Sequence, residues 1–452
     1  MDRDAYFSAA RQAQERGDVA TAREQFERLL CRDPDDFDAR HMLAVVELAQ
    51  QRPEAAREHL ERCVAIDPCF APVLSNLAVA LLRLGHHEQA VTVARRALTL
   101  RPDFAEAWTA LGNALRQLDA LPAALRAQEH AIRLKPAGVT ARYNAGILQL
   151  MQGDLAAGWR GFDLRFQARP DAAIRHRGLP DWRGPEDDLS ALLVWPEQGI
   201  GDEIVFASCL PDLSCRPGRL LFECDARLAE LLQRSFPFAT VLPLGAPLEA
   251  EGIVQIASGG LARLLRPTID SFPRRQSFLS ADPDRVARWR RELAALGPEP
   301  KVGVLWRGLE RGLGRDEHYT AIEQWTPVLS VPGVRFIGLQ YGDLGGEAIP
   351  SSVNFLPGLD LRDDIDNVAA LMMALDLVIS PGTAGFALAA GLGRPTWVLA
   401  TADDWMRLGT GHYPWLPAAR AFLRPSKQGW DGVLAAVAEA LRREIAQPPS
   451  SS

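Results

Sequence analysis

Cysteine is scarce and poorly placed for cross-linking. The six cysteines, at 31, 63, 69, 209, 215 and 224, include no C-x-x-C pair and no Cys/His cluster. That pattern argues against a disulfide framework or a zinc site and for buried thiols in a reducing compartment. Arg, Gly or Pro breaks every apolar run well short of the ~20 residues a membrane-spanning helix needs. There is no basic tract, and a net charge of −7 leaves no electrostatic footprint for nucleic acid. The first residues, "MDRDAYFSAARQAQERGD", are charged from position 2 and lack an apolar signal core. Together these absences lead to the expectation of a soluble cytoplasmic protein with no membrane span and no nucleic-acid partner. What remains is ordinary globular composition, 47% hydrophobic and 24% charged. At 452 residues the chain is too long for one core, so two or three domains are expected.

The first third repeats. Prolines stand at 34, 68, 102, 136 and 170, each 34 residues after the last. Small residues recur in step at Ala22, Ala56, Ala90, Ala124 and Gly158, where paired helices must approach closely. A period of 34 with helix-pair content is the signature of tetratricopeptide repeats. Proline ends each second helix because it lacks an amide donor and clashes with the preceding turn. Five repeats are read over residues 3–172, with the first and last atypical, as caps are. The expected array covers 1–172 and presents a surface for peptide or protein, with no chemistry of its own.

From about residue 190 the period changes, after a linker at 173–189. Short β-rich runs alternate with amphipathic helices, which argues for parallel sheets with crossover helices. The first half, 190–298, offers strands at 191–195, 219–223, 239–244 and 252–257. The second half, 299–452, offers 301–306, 334–340, 376–380 and 395–400, and ends in a helix, "WDGVLAAVAEALRREIA", expected to pack back across the first half. Gly199 and Gly201 in "LLVWPEQGIGDEIVFA" follow a strand and open a helix. Glycines there allow a tight turn and a close backbone approach to a ligand, with helix amides available to an anion. The dinucleotide pattern G-x-G-x-x-G is incomplete, because position 204 is Ile. "SPGTAGFALAAGLG" likewise follows a strand and begins a helix. Its amides at Thr383, Ala384 and Gly385, beside Gly382, suit a diphosphate. Arg307, just past a strand, is a candidate phosphate contact, with His318 as a second. Gln340 and Tyr341, at another strand end, are placed to border a nucleobase. Trp306 reads as core. The segments read as cleft contain no Asp-x-Asp pattern, so no metal and no bound cofactor are expected.

The order and spacing of "PDWRG" (180–184), "EQGIGDEIVFA" (197–207), "FECDARLAELLQRSFP" (222–237), "VGVLWRG" (302–308), "LQYGD" (339–343), "ALDLVISPGTAGFALAAGLGRPTWVL" (374–399) and "PWLPAARAF" (414–422) carry a resemblance. The chain resembles a bacterial family that fuses tetratricopeptide repeats to a glycosyltransferase region similar to heptosyltransferases and, more distantly, O-GlcNAc transferases. Within it, the subgroup includes flagellin-modifying enzymes. The resemblance implies an α-solenoid followed by a two-lobed GT-B domain, with the acceptor on the first lobe and a nucleotide-sugar donor on the second. It implies an inverting, metal-independent transfer to a protein held by the repeats, flagellin being the candidate acceptor. It also implies that Asp202 is the general base. Glu197 and Gln198, flanking the same loop, are further catalytic-site candidates for contacts to sugar or acceptor hydroxyls. The chain departs from the D-T-A-x-x-H pattern of relatives at Gly382 and Ala387. That departure keeps open a second reading, a catalytically degenerate protein that acts as an interaction or nucleotide-sensing module.

Overall fold

The computed structural model describes residues 3–169, 174–176, 178–184, 190–215, 218–248, 252–309, 318–425 and 428–446. By its contacts the chain divides into two compact units: one spans Met1–Leu148, and the other takes the described residues from Gln149 onward.

The first unit is built of helix pairs: α1 (Arg3–Glu15) and α2 (Val19–Arg32), α3 (Phe37–Ala49) and α4 (Pro53–Ile66), α5 (Ala71–Arg83) and α6 (His87–Leu100), α7 (Ala105–Gln117) and α8 (Leu121–Leu134). A ninth helix, α9 (Val139–Met151), begins the next pair and crosses the unit boundary. Second helices end at 32, 66, 100 and 134, two residues before prolines 34, 68, 102 and 136, as the period predicts. Pro170 lies outside the described residues. Ala22, Ala56, Ala90 and Ala124 are fully buried at the helix contacts. Side-chain caps start several helices, with Asp18 accepting from the Thr21 amide and Asp36 from the Ala39 amide.

The expected array to residue 172 overshoots the first unit. The next helices, α10 (Leu155–Phe162) and α11 (Arg165–Ala168), belong to the second. The reason is aromatic. Trp159 is buried, donates from Nε1 to the Arg266 carbonyl at 2.7 Å, and lies 6.0 Å from the Trp415 ring. Phe162 lies 5.2 Å from Trp405. Apolar area of this size goes where partners exist, and here they come from the α/β region.

That region holds two parallel sheets. Strands β1 (Ala191–Trp195), β2 (Arg219–Cys224), β3 (Thr240–Pro243) and β4 (Ile253–Ala257) form the first, in the order β3-β2-β1-β4. Strands β5 (Lys301–Val304), β6 (Arg335–Gly338), β7 (Val353–Asn354), β8 (Leu377–Pro381), β9 (Thr396–Thr401) and β10 (Ala419–Arg424) form the second, in the order β10-β9-β8-β5-β6-β7. Every pairing is parallel, and β1 and β8 are buried along their whole length, as central parallel strands are. Crossovers include α12 (Ile200–Ala207), α13 (Ala229–Ser235), α16 (Thr326–Leu329), α17 (Ile365–Ala374) and α18 (Ala384–Gly391), while α14 (Leu261–Leu265) and α15 (Pro283–Ala294) join one sheet to the other. The chain closes with α19 (Asp431–Ala446). The expected strands appear, the first with its ends unchanged and the others with ends shifted by one or two residues, and β7 and β10 are additions.

Two expectations are corrected here. The C-terminal helix α19 does not cross back to the first half. Its face of Val433, Leu434, Val437, Ala438 and Leu441 packs with Trp325, Trp397 and Phe422 in the core of the six-stranded sheet. That sheet otherwise leaves an apolar face bare, and the helix covers it. The linker is also more than a spacer. Trp182 donates its amide to the Gln255 carbonyl and Gln255 returns one to Pro180, both at 2.8 Å, so "PDW" adds itself to the β4 edge. Arg175 then forks onto Glu223 of β2 at 2.9 and 3.1 Å.

Candidate functional site

A cavity of about 520 Å³ opens where the two sheets' strands end. Its walls come from the segments after β1, β2, β5, β6, β8 and β9 and from α17, with Ile200, Ile204, Leu305, Leu339, Val368 and Met372 as apolar lining. Ligands of parallel α/β folds sit at such carboxyl ends.

Two helices point their N-termini into this cavity. Gly199 is the N-cap of α12, and Thr383 caps α18. The two first turns touch: a Cβ on Gly201 would lie 3.4 Å from the Ala384 Cα. Gly201 therefore serves a helix-to-helix approach. Gly199 does not need to be glycine for space or conformation, since its φ is −115° and nothing lies near a Cβ placed there. The left-handed residue of this loop is instead Gln198, at φ 62°, and such non-glycine strain clusters at functional sites. Of the amides expected to hold an anion, that of Thr383 is spent on the Pro381 carbonyl at 2.8 Å. Among the described residues no backbone acceptor takes the amides of Ala384 and Gly385 on α18, or of Ile200 and Gly201 on α12. All four residues line the cavity.

Asp202 lines it too, in the first turn of α12. It is not the N-cap, because the helix already begins at Ile200. The neighbouring Glu203 turns inward, is buried, and accepts the Asp225 amide at 3.0 Å. Burial pushes its carboxyl up to about 7.

Several polar candidates lie elsewhere. Glu197 is buried against Arg165 of α11, with Oε1 2.7 Å from the guanidinium and 2.6 Å from the Gly259 amide, and its other oxygen also meets Arg165. Gln198 is exposed and outside the cavity lining. Arg307 is buried and fully engaged: Nε donates to Glu347 at 2.6 Å and a terminal nitrogen to the Asp343 carbonyl at 2.6 Å. Gln340 is a buried clamp, accepting the Trp306 and Arg307 amides at 3.1 and 3.0 Å and donating to the Arg307 and Tyr341 carbonyls. His318 meets the Thr401 hydroxyl at 3.2 Å, off the cavity wall. Buried polar groups must be satisfied, and these satisfy each other. Tyr341, Gly382, Thr383, Ala384 and Gly385 do line the cavity. Desolvation pushes the Tyr341 hydroxyl up to about 12.

The cavity's cations are residues that sequence reasoning missed. Arg227 forks onto Asp225 at 2.9 Å and reaches the Asp363 carboxylate and the Arg362 carbonyl at 3.4 Å, while exposed Arg362 stands beside it. Asp404, Trp405 and Tyr413 form another wall. An Asp-x-Asp pattern, Asp364-Ile365-Asp366, stands at the start of α17, but of its three residues Ile365 alone is on the cavity wall. Its carboxylates are engaged: Asp364 caps α17 at the Asn367 amide, and Asp366 is gripped by Arg234 at 2.7 and 2.8 Å.

Comparison with known proteins adds the following. Residues 7–68 and 47–114 match family models described as tetratricopeptide repeats. The N-terminal unit is a tetratricopeptide array. Protein FlbA of Caulobacter vibrioides is 37% identical over 318 residues, covering 65% of this chain and 53% of FlbA. That share of the chain exceeds what the helical part to Ala168 alone supplies, so the likeness continues into the α/β region. The chain spans about half the length of that relative. Among solved structures, a thermophilic tetratricopeptide-repeat protein of Thermus thermophilus is 23% identical with a TM-score of 0.34, over 38% of this chain and 93% of that one. The MamA protein is 22% identical with a TM-score of 0.29, over 37% and 85%. No helix among the described residues is long and apolar enough to cross a membrane.

Proposed function

We propose that the α/β region is a two-lobed glycosyltransferase of GT-B architecture that takes its sugar from a nucleotide-sugar. The observation that carries this reading is the convergence of two helix N-termini, α12 and α18, on one cavity at the carboxyl ends of two parallel sheets. Four amides and Arg227 can meet the charge of a diphosphate there, in place of the Arg307 contact expected from sequence. Asp202 stands on the same wall as the candidate base. In an inverting transfer it takes the proton of the acceptor hydroxyl as that oxygen bonds to the anomeric carbon. The bond from that carbon to the diphosphate breaks, and the electron pair leaves with the diphosphate toward the helix amides. The tetratricopeptide array would recruit the acceptor protein, with flagellin the candidate.

A second reading is a nucleotide-sensing interaction module without transfer. It is favoured by Arg307, Glu197 and Gln340, which are all spent on internal partners. Calorimetry of the full chain with UDP-, GDP-, ADP- and CMP-linked sugars tests the shared premise. A ligand at 100 times its Kd adds about 2.7 kcal/mol of stability, so binding also raises the melting temperature. No binding by any of these donors at millimolar concentration would overturn both readings.

A further inference from the structure

Asp404 is a second carboxylate on the cavity wall, in a segment without a recognisable motif. It lies three residues beyond β9 and caps the turn Trp405–Arg407 through the Met406 amide at 3.0 Å. Its other oxygen accepts the Tyr413 hydroxyl at 2.5 Å. Tyr413 is buried, and its ring packs edge-on against Phe386 in the first turn of α18, with centroids 5.1 Å apart. The carboxylate is thus held by a residue that itself packs on the first turn of α18. Burial pushes its carboxyl upward, against the pull of the Tyr413 and Met406 hydrogen bonds.

Each Asp404 oxygen spends one acceptor site on the protein and keeps another. Elsewhere the cavity offers apolar walls, helix amides, Arg227 and the hydroxyls of Tyr319 and Tyr341, so its charged acceptors are carboxylates. Ring hydroxyls need acceptors, and among the described residues the carboxylates that line the cavity are Asp202, from the first lobe, and Asp404, from the second. Asp404 and the first turn of α18 line the same cavity, so a ring attached to phosphates held at that turn occupies space that Asp404 borders.

We propose that Asp404, held by Tyr413, accepts a hydrogen bond from a ring hydroxyl of the bound nucleotide-sugar, and so selects for a hydroxylated ring joined to the phosphates. This rests on the reading of the cavity as a nucleotide-sugar site. The ring is either the ribose or the transferred sugar, and the ligands below separate them.

The test is calorimetry on the full chain, wild type against Asp404→Asn, with UDP-N-acetylglucosamine, GDP-mannose and CMP-N-acetylneuraminate, the bare nucleotides UDP, GDP and CMP, and inorganic pyrophosphate. Asparagine preserves size and an acceptor for Tyr413 but loses the charged acceptor. The donor that binds wild type is expected to bind the variant about tenfold more weakly or worse, while pyrophosphate binds both equally. If the bare nucleotide weakens in step, the ring is the ribose; if it does not, the ring is the sugar. Both outcomes support the proposal. Equal affinity of wild type and variant for every probe overturns it, as does equal loss for donor and pyrophosphate, which marks a structural role. If Asp404→Asn does not fold, Tyr413→Phe takes its place, and the same split of donor against pyrophosphate is required. If wild type binds none of the probes, the nucleotide-sugar reading fails and takes this inference with it. If wild type binds and the variant matches it, only the inference falls.

Discussion

Replacing Glu203 with Gln should stabilise the α/β unit clearly at pH 8 and by much less at pH 5. Glu203 follows Asp202 on α12 but turns away from the cavity and is only 4% exposed. Burial raises its carboxyl from 4.5 to about 7, with Asp225 and Asp202 adding to the rise and the Asp225 amide and Arg227 opposing it. The folded state therefore holds the proton more tightly than the unfolded chain. The contribution is complete below pH 4.5 and is lost as pH rises through about 7. At 1.36 kcal/mol per pKa unit the loss comes to roughly 3 kcal/mol at most. Glutamine keeps an oxygen to accept the Asp225 amide and does not titrate, so the variant escapes that loss. In a unit of this size the difference at pH 8 is about 5 °C or more in Tm. Tryptophan fluorescence reads the right unit, because ten of the eleven tryptophans, all but Trp108, lie beyond residue 148. Protonation of other carboxylates occurs in both proteins and cancels in the comparison. A Tm difference between variant and wild type that stays flat from pH 5 to pH 8 would refute the argument that burial controls this group.

Three further outcomes follow from the contacts. Arg307→Ala should lower Tm strongly, since breaking a buried ion pair costs about 3–5 kcal/mol; Arg227→Gln should leave Tm nearly unchanged and weaken nucleotide binding about tenfold, and calorimetry showing the reverse pattern would restore Arg307 to the site. Deleting residues 1–138 should spare nucleotide binding, whereas deleting 1–172 should abolish it or prevent folding, because Trp159, Phe162 and Arg165 leave with the second cut. Burial of each aromatic is worth about 3–5 kcal/mol; a folded, ligand-binding 173–452 fragment would show that α10 and α11 are dispensable. Trp159→Ala in the full chain should lower Tm by a similar amount and shift the fluorescence of Trp405 and Trp415, and an unchanged melt would contradict the aromatic anchor.

The repeats and the parallel strands were legible because their signals are local and periodic. Prolines every 34 residues and β-rich runs such as "ALLVW" report on their own neighbourhood. The two glycine-containing strand-to-helix turns were legible for the same reason, and both line the cavity. Side-chain direction was not. Arg307, Gln340 and Glu197 stand where a strand ends, as ligand contacts do. Their partners come from distant segments: Glu347 for Arg307 and Arg165 for Glu197. A sequence without those pairings cannot distinguish a group aimed at a ligand from one aimed at a neighbouring loop. Arg227, inside the segment "FECDARLAELLQRSFP", and Asp404, outside any such segment, were missed because tertiary folding alone brings them to the cavity. The place of Asp202 follows from the turn itself, since Gly199 caps the helix and Asp202 falls in its first turn.

The most direct test of transfer is the mass of the acceptor. The full chain is incubated with the nucleotide-sugar that binds it and with flagellin, and intact-protein mass spectrometry follows the product. The account predicts a gain equal to one or more sugar residues. It also predicts that Asp202→Asn slows the gain by about 10²-fold or more with donor affinity unchanged. Donor binding without any mass gain would contradict transfer and leave the sensing module standing; wild-type turnover in Asp202→Asn would remove Asp202 as the base.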